Sequence, residues 1–372
     1  MGKWFLIFIP CNPLPPEIDG KPVEKDCQKN DGESAKRDYR KIRMKRYRAE
    51  KMLACEKKAD WSFLEKNFCG MIRWYFMENV FRVSEMCERR SFRCEVEDNM
   101  DRQKRVAVIN DVTGFGRCSA AVAQPIISAM KIQCCVVPTA ILSVHTGFPD
   151  YTLQDFTPYL KEYMDSWEKT GIHFDGISSG FIGSKEQIAL VIDFFERFKK
   201  EDTLTVVDPV MGDYGKLYSS YTDEMCLEMK KLLPYADVLT PNLTEACRML
   251  DLDYHRVKYS QESLEEISGA LSEKGPEKVV ITGLQQGEQI FNYIYERNKT
   301  SKMIATRKIG GDRSGTGDVF SSIVTGALIQ GDDFITAVKR AVQFLDKAIA
   351  FTARQELPWN YGICFEEYLK EI

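Results

Sequence analysis

From Arg105 to about Leu328 the apolar positions follow two alternating rhythms. Short runs of apolar and β-branched residues predict buried strands at Val106 to Ile109, Ile132 to Val137, Asp175 to Ser179, Thr203 to Val207, Val238 to Thr240 and Lys278 to Thr282. Between them, apolar positions recur three or four apart. That spacing predicts helices over Ser119 to Met130, Leu153 to Trp167, Lys185 to Lys199, Glu224 to Leu233, Ser263 to Leu271 and Val319 to Leu328. In the third of these, Ile188, Val191, Ile192, Phe195 and Phe198 mark the buried face. Strand and helix in alternation predict an α/β fold: a central, mostly parallel sheet with helices on both faces, joined by right-handed crossovers. Ligands in such sheets sit beyond the carboxyl ends of the strands, so residues just after each strand are the first candidates for chemistry.

The first hundred residues keep neither rhythm. The apolar run Trp4 to Ile9 is six residues long and meets Pro10, Pro13, Pro15 and Pro16, too short for a membrane span or a leader. Residues 12 to 60 join a Pro-rich start to the basic stretch Lys36 to Lys51, which predicts poorly structured, solvated chain; residues 61 to 97 are richer in aromatics and predict one or two short helices. Charge changes sign at the same place. Residues 1–99 hold 21 Lys and Arg against 17 Asp and Glu, whereas the remainder holds 30 against 38. The basic stretch lacks aromatic or Gly-rich interleaving, so solvated charge is a better reading than a nucleic-acid or membrane tether. Met100-Asp-Arg-Gln-Lys-Arg leads into the first strand as a natural start would. The expected organisation is therefore an extension over 1–99 that adds nothing to catalysis, and a functional domain over 100–372.

A formal net charge of −4 gives no general attraction to nucleic acid or to anionic membrane. Twelve Cys without a CxxC pair, beside three His, point to reduced, buried thiols and a cytoplasmic protein.

The strongest chemical feature is Gly310-Gly-Asp-Arg-Ser-Gly-Thr-Gly-Asp318 running into an apolar helical stretch. Gly315 and Gly317 allow close backbone approach, and Thr316 lies between them where a helix begins. Free N–H groups and the positive dipole end there make a phosphate cradle. Asp318 is placed to accept a proton from an attacking hydroxyl, while the N–H groups stabilise charge on a transferred phosphoryl group. Taken alone, the same residues would also suit a turn with an acidic cap. Asp208 follows an apolar run in Asp208-Pro-Val-Met-Gly212, where it suits Mg²⁺ coordination. Asn242 and Glu245, three apart at a helix start after Pro241, fit a capping box.

Together these segments resemble the pyridoxal kinases of the ribokinase-like superfamily. Gly-Thr-Gly-Asp318, Asp208-Pro-Val-Met-Gly212, Thr240-Pro-Asn-Leu-Thr-Glu245 and Ser179-Gly-Phe-Ile-Gly-Ser184 match that family's ordered motifs across about Arg105 to Leu369. The resemblance implies a ribokinase-like fold and transfer of the γ-phosphate of ATP to the 5′-hydroxymethyl of a B6 vitamer, with Asp318 as base. It implies Asn242 on nucleotide phosphate, Mg²⁺ held by Asp208 and by Glu245 through water, Thr282 and Gly283 beside the phosphates, and Asp213 and Tyr218 in a loop over them. Lys216 in that loop reads as solvated. On the acceptor side it implies Asp111 (where pyridoxal kinases often carry Ser nearby), Gly116, Thr139 and His145. A homodimer is implied as well. Two rivals stay open: a hydroxymethylpyrimidine kinase with the same fold and base, and a non-catalytic vitamer-binding protein with residues 1–99 as its interaction arm.

Overall fold

The computed structural model describes residues 102–372, and the readings made for residues 1–101 lie outside the described residues. The described residues belong to one compact unit. Its centre is a nine-stranded sheet in the order β11-β10-β9-β8-β5-β4-β1-β2-β3. The strands are β1 (Arg105–Phe115), β2 (Gln133–Val144), β3 (Leu153–Asp155), β4 (Gly176–Ser179), β5 (Leu204–Val207), β8 (Val238–Leu239), β9 (Lys278–Gln286), β10 (Gln289–Glu296) and β11 (Lys302–Arg307), and the short pair β6 (Gly212–Asp213) and β7 (Lys216–Leu217) forms a separate hairpin. From β9 through β8, β5, β4 and β1 to β2 every pairing is parallel; β3, β10 and β11 are antiparallel additions at the two edges.

Alternation along each strand sends side chains to two separate cores. Ala107 and Ile109 of β1 enter a core with α2 (Thr157–Thr170), α3 (Lys185–Phe198), α4 (Asp223–Met229), α5 (Leu243–Leu250) and α6 (Gln261–Ser272). Val106 and Val108 enter the other, with α1 (Ser119–Ala129), α7 (Thr316–Gln330) and α8 (Phe334–Ala353). The expected mostly parallel sheet covered on both faces is what forms.

Several elements differ from the sequence reading. The helix expected from Leu153 begins only at Thr157: Leu153–Asp155 pairs with the outer edge of β2, and the Asp155 carboxylate accepts the Thr157 N–H at 3.0 Å just before Pro158. The Asx turn and the proline set the boundary where apolar spacing could not. Strands β1 and β2 run on through Gly114 to Phe115 and Val144, past a register shift between Asn110 and Val112. This ribbon runs on past Ile109, where the pairing of β1 with β4 ends. Strands β10 and β11 and helix α8 had no counterpart in the reading; β10 buries Asn292, Tyr293 and Ile294 in succession, and β11 alternates exposed with half-buried residues.

Strand order reverses between β1 and β4, since the chain passes from β1 outward to β2 and then returns to the other side. The crevice above that point is the place a sheet of this kind offers a ligand.

Candidate active site

The residues singled out in the sequence gather at the carboxyl ends of the parallel strands: Asn110 and Asp111 on β1, Thr139 on β2, Asp208 after β5, Asn242 after β8 and Thr282 on β9. At the reversal point the Asn110 amide bridges neighbours. Its Oδ1 accepts the N–H groups of Phe181 at 3.0 Å and Asp111 at 3.0 Å, and its Nδ2 donates to Asp318 Oδ1 at 3.3 Å. A Cβ at Gly180 would come within 2.6 Å of that amide, so glycine is required for the bridge.

Asp318 lies in the first turn of α7, whose N-cap Gly315 has φ of +78°. A Cβ at Gly315 would fall on the Arg117 carbonyl oxygen, so the loop seats against the start of α1 only without a side chain. Thr316 donates its hydroxyl to Arg313 O at 2.7 Å, and Gly317 is open, with Asp208 Oδ2 nearby. Burial, and then the negative charge of Asp111, push the Asp318 pKa up to about 6, against the Ser119 N–H and the Asn110 amide, which hold it down. A carboxyl so placed titrates close to neutrality, as a general base requires.

Asp208 is 8% exposed and Glu245 3%. Burial and then the charge of Asp318 raise the Asp208 pKa, opposed by the Ser321 hydroxyl; burial and then the charge of Asp208 raise that of Glu245. Glu245 and Asn242 form a complete capping box on α5: Asn242 Oδ1 accepts the Glu245 N–H at 3.0 Å and Glu245 Oε2 accepts the Asn242 N–H at 2.8 Å. Glu245 Oε1 also accepts Met211 N–H at 3.1 Å, and Asn242 Nδ2 donates to Gly212 O at 2.8 Å. The box therefore ties α5 to the hairpin β6–β7 below Asp213. Among the described residues no three His, Cys, Asp or Glu side chains converge as a metal cage. Two buried carboxylates repelling each other suit a cation that takes its other ligands from water and phosphate, and Mg²⁺ is such a cation.

Tyr218 follows the hairpin; although the residue is 44% exposed, partial burial and then the charges of Glu245, Asp213, Asp208 and Asp318 push its pKa up. Lys216 is exposed. Thr282 pairs with Asn242 as an isolated parallel bridge, and Gly283, at φ of +68°, has open space where a side chain would stand. Both border a cavity of about 260 Å³ that Asn242, Thr244, Tyr254 and Tyr259 also line. The Tyr254 and Tyr259 hydroxyls lie 3.1 Å apart.

The acceptor-side residues sit beneath and beside the crevice. Asp111 is 4% exposed; it accepts the Thr113 hydroxyl at 2.7 Å, and burial raises its pKa against the hydroxyls of Ser119 and Thr113. Thr139 is fully buried with its hydroxyl on Phe181 O at 3.0 Å, and its carbonyl accepts Gln187 Nε2 at 2.7 Å. His145 Nδ1 accepts the Gly147 N–H at 3.1 Å, which makes Nε2 the donor to Asn360 O at 2.7 Å. A Cβ at Gly116 would come within 2.7 Å of the His145 ring, so Gly116 is there to let the ring in.

The sequence reading gave no individual role to Asn110, Ser119, Ser321, the two tyrosines or the C-terminal segment Leu357–Tyr361. Asn110 had a usable signal, being the first polar residue past the apolar run of β1. The others stand in loops or on helix faces without any periodic mark.

Comparison with known proteins gives the family. The profile of the phosphomethylpyrimidine kinase family matches residues 126–362. Pyridoxal kinase PdxY of Deinococcus radiodurans is 25% identical over 237 residues, 61% of this chain and 80% of that protein; the pyridoxal kinase of Arabidopsis thaliana is 30% identical over 50% of this chain and 61% of its own length. A thiamine biosynthetic bifunctional enzyme of Arabidopsis thaliana is 25% identical, with 60% of this chain matched to 42% of it, so the chain spans well under two thirds of that relative. Among solved structures, a Bacteroides thetaiotaomicron protein assigned as a phosphomethylpyrimidine kinase and crystallised with pyridoxal is 37% identical at a TM-score of 0.69, covering 73% of this chain and 96% of that one. Pyridoxal kinase from Lactobacillus plantarum is 28% identical at a TM-score of 0.67, covering 72% and 96%. The chain belongs to the phosphomethylpyrimidine and pyridoxal kinase family of the ribokinase-like superfamily.

Proposed function

We propose that residues 100–372 are an ATP-dependent kinase domain that phosphorylates the 5′-hydroxymethyl group of pyridoxal, pyridoxine or pyridoxamine, with residues 1–99 an extension outside that chemistry. The observation that carries the reading is the Asp318 carboxyl, poised at about 6 in the crevice where strand order reverses and beside the glycine cradle. The acceptor hydroxyl gives its proton to Asp318 as its oxygen attacks the γ-phosphorus, and the bond to the β-phosphate oxygen breaks to leave ADP. The backbone N–H groups of Gly315, Thr316, Gly317 and Asp318 face the charge on the moving phosphoryl group. Asp208 and Glu245 would hold Mg²⁺, which supplies neutralisation of phosphate charge when bound. Asn242, Thr282 and Gly283 border the nucleotide, Asp213 and Tyr218 cover its phosphates, and the tyrosine-lined cavity takes its base. Asp111, Gly116, Thr139 and His145 shape the acceptor pocket, Asp111 and Thr139 from its floor. B6 vitamers are favoured over other alcohols by the pyridoxal kinases among the relatives and by the pyridoxal in the Bacteroides crystal.

Hydroxymethylpyrimidine is the second acceptor, favoured by the family match and by the thiamine enzyme among the relatives. A non-catalytic vitamer binder has no use for a base held near neutrality. A homodimer would cover the exposed Ile141, Tyr151 and Leu153 at the β2–β3 edge. Among the described residues no helix is long and apolar enough to cross a membrane, and the six cysteines there are free thiols, four of them buried, which fits the expected cytoplasmic setting. ATP consumption measured with pyridoxal, pyridoxamine, pyridoxine and hydroxymethylpyrimidine tests the reading. Turnover is expected with a vitamer, and turnover with hydroxymethylpyrimidine alone would replace it by the second.

A further inference from the structure

We propose that the C-terminal segment Leu357–Tyr361 is a tie that couples the phosphate loop to the acceptor loops, so that Arg313 and Arg117 are positioning residues for both substrates; this rests on the kinase reading above. Five consecutive carbonyl oxygens divide between the two sides. On the phosphate side, Arg313 Nη1 donates to Leu357 O and to Pro358 O, the latter at 3.0 Å, and Ser314 N–H donates to Trp359 O at 3.3 Å. On the acceptor side, His145 Nε2 donates to Asn360 O at 2.7 Å and Arg117 Nη1 to Tyr361 O at 3.2 Å. The backbone of the segment meets both loops that must hold a reacting atom.

Side chains repeat the pattern. The Trp359 ring lies edge-on to His145 at 6.2 Å between centroids, and Tyr361 lies edge-on to Phe115 at 5.0 Å. A Cβ at Gly147 would meet both His145 and Trp359 within 2.7 Å. Beyond the tie the chain is anchored: Ile363 and Phe365 are 0% and 2% exposed, Cys364 N–H donates to Thr352 Oγ1 of α8 at 2.8 Å, and Arg117 Nε pairs with Glu366 at 2.7 Å. The segment is therefore not a loose end. Bonds from guanidinium groups to carbonyl oxygens are charge-assisted and resist exchange for water. Arg313, which the glycine-rich loop would otherwise suggest as a phosphate ligand, spends Nη1 on this backbone.

A tie predicts effects that cross between substrates, which a local anchor does not. KM for ATP and for pyridoxal, with kcat, are measured on the full chain and on Arg313→Ala, Arg117→Ala, their lysine counterparts and the double alanine variant, with unfolding midpoints recorded on the same samples. Arg313→Ala is expected to raise the pyridoxal KM, and Arg117→Ala the ATP KM, each by about tenfold, the scale of ordinary coupling between sites. The double variant should be little worse than either single one, because one tie is broken twice. Lysine variants, which keep the charge and lose the second bond, should fall between and serve where an alanine variant does not fold. Effects confined to ATP for Arg313→Ala and to pyridoxal for Arg117→Ala, or additive in the double variant, overturn the proposal. If the unaltered chain phosphorylates no vitamer, the substrate reading fails separately. The tie is then judged by ATP binding alone, which Arg117→Ala must still weaken.

Discussion

Asp318 shows what burial does to one carboxyl. Its pKa is raised to about 6, so its ionised form costs stability in the folded protein. The folded state binds the proton more tightly than the unfolded chain does, and stability from this group therefore falls as pH rises from the ordinary aspartate value of 3.8 to about 6. Activity moves the opposite way, because only the ionised form accepts a proton: kcat/KM should fall as pH drops through about 6. Asp318→Asn should lower kcat by about 10²-fold or more while raising metal-free stability at neutral pH by on the order of 1–2 kcal/mol. A calorimetric scan beside the vitamer assay checks both signs, and an unchanged kcat would remove Asp318 from the mechanism. Asn110 lowers the same pKa through its amide. Asn110→Leu should thus move the acidic limb of the pH profile upward, and a downward move would break the assignment. The acidic motif residue was legible in the sequence; its partner on β1 was not, because the pairing joins residues 208 positions apart.

At the level of elements, the loop before α7 depends on one backbone conformation. Gly315 has positive φ and no room for a Cβ against the Arg117 carbonyl oxygen. Gly315→Ala therefore meets a strained conformation and a clash with backbone, a combination that costs about 1–3 kcal/mol where the fold holds it. Loss of most activity is expected with a lower unfolding midpoint, and a variant of normal activity would show that the loop has another seat. The capping box of Asn242 and Glu245 bears on the same point. Those two residues carried two readings, a helix cap from their spacing and a nucleotide site implied by the resemblance, and the structure shows the cap directly, with Asn242 also lining the cavity. One side chain can satisfy a helix end and border a ligand, so the two readings were never in competition.

For the molecule as a whole, every candidate site residue lies on or between the elements from β1 to α7, within Arg105 to Gln330. A protein beginning at Met100 should therefore retain the vitamer kinase activity of the full chain. Its loss on removal of residues 1–99 would assign that segment a part in function. The sequence by itself determined the alternation of strands and helices, the parallel sheet with two covered faces, and the placing of chemical motifs at strand ends, because burial on both faces leaves continuous apolar runs and glycine-rich turns that local patterning reports. Only the tertiary structure decided that Asn110 meets Asp318, that Asp208 and Glu245 share one buried charge problem, and that the carbonyls of Leu357–Tyr361 join two loops from opposite ends of the domain. These contacts depend on strand order and on backbone groups whose partners lie far along the chain, and neither leaves a periodic mark in the residues themselves.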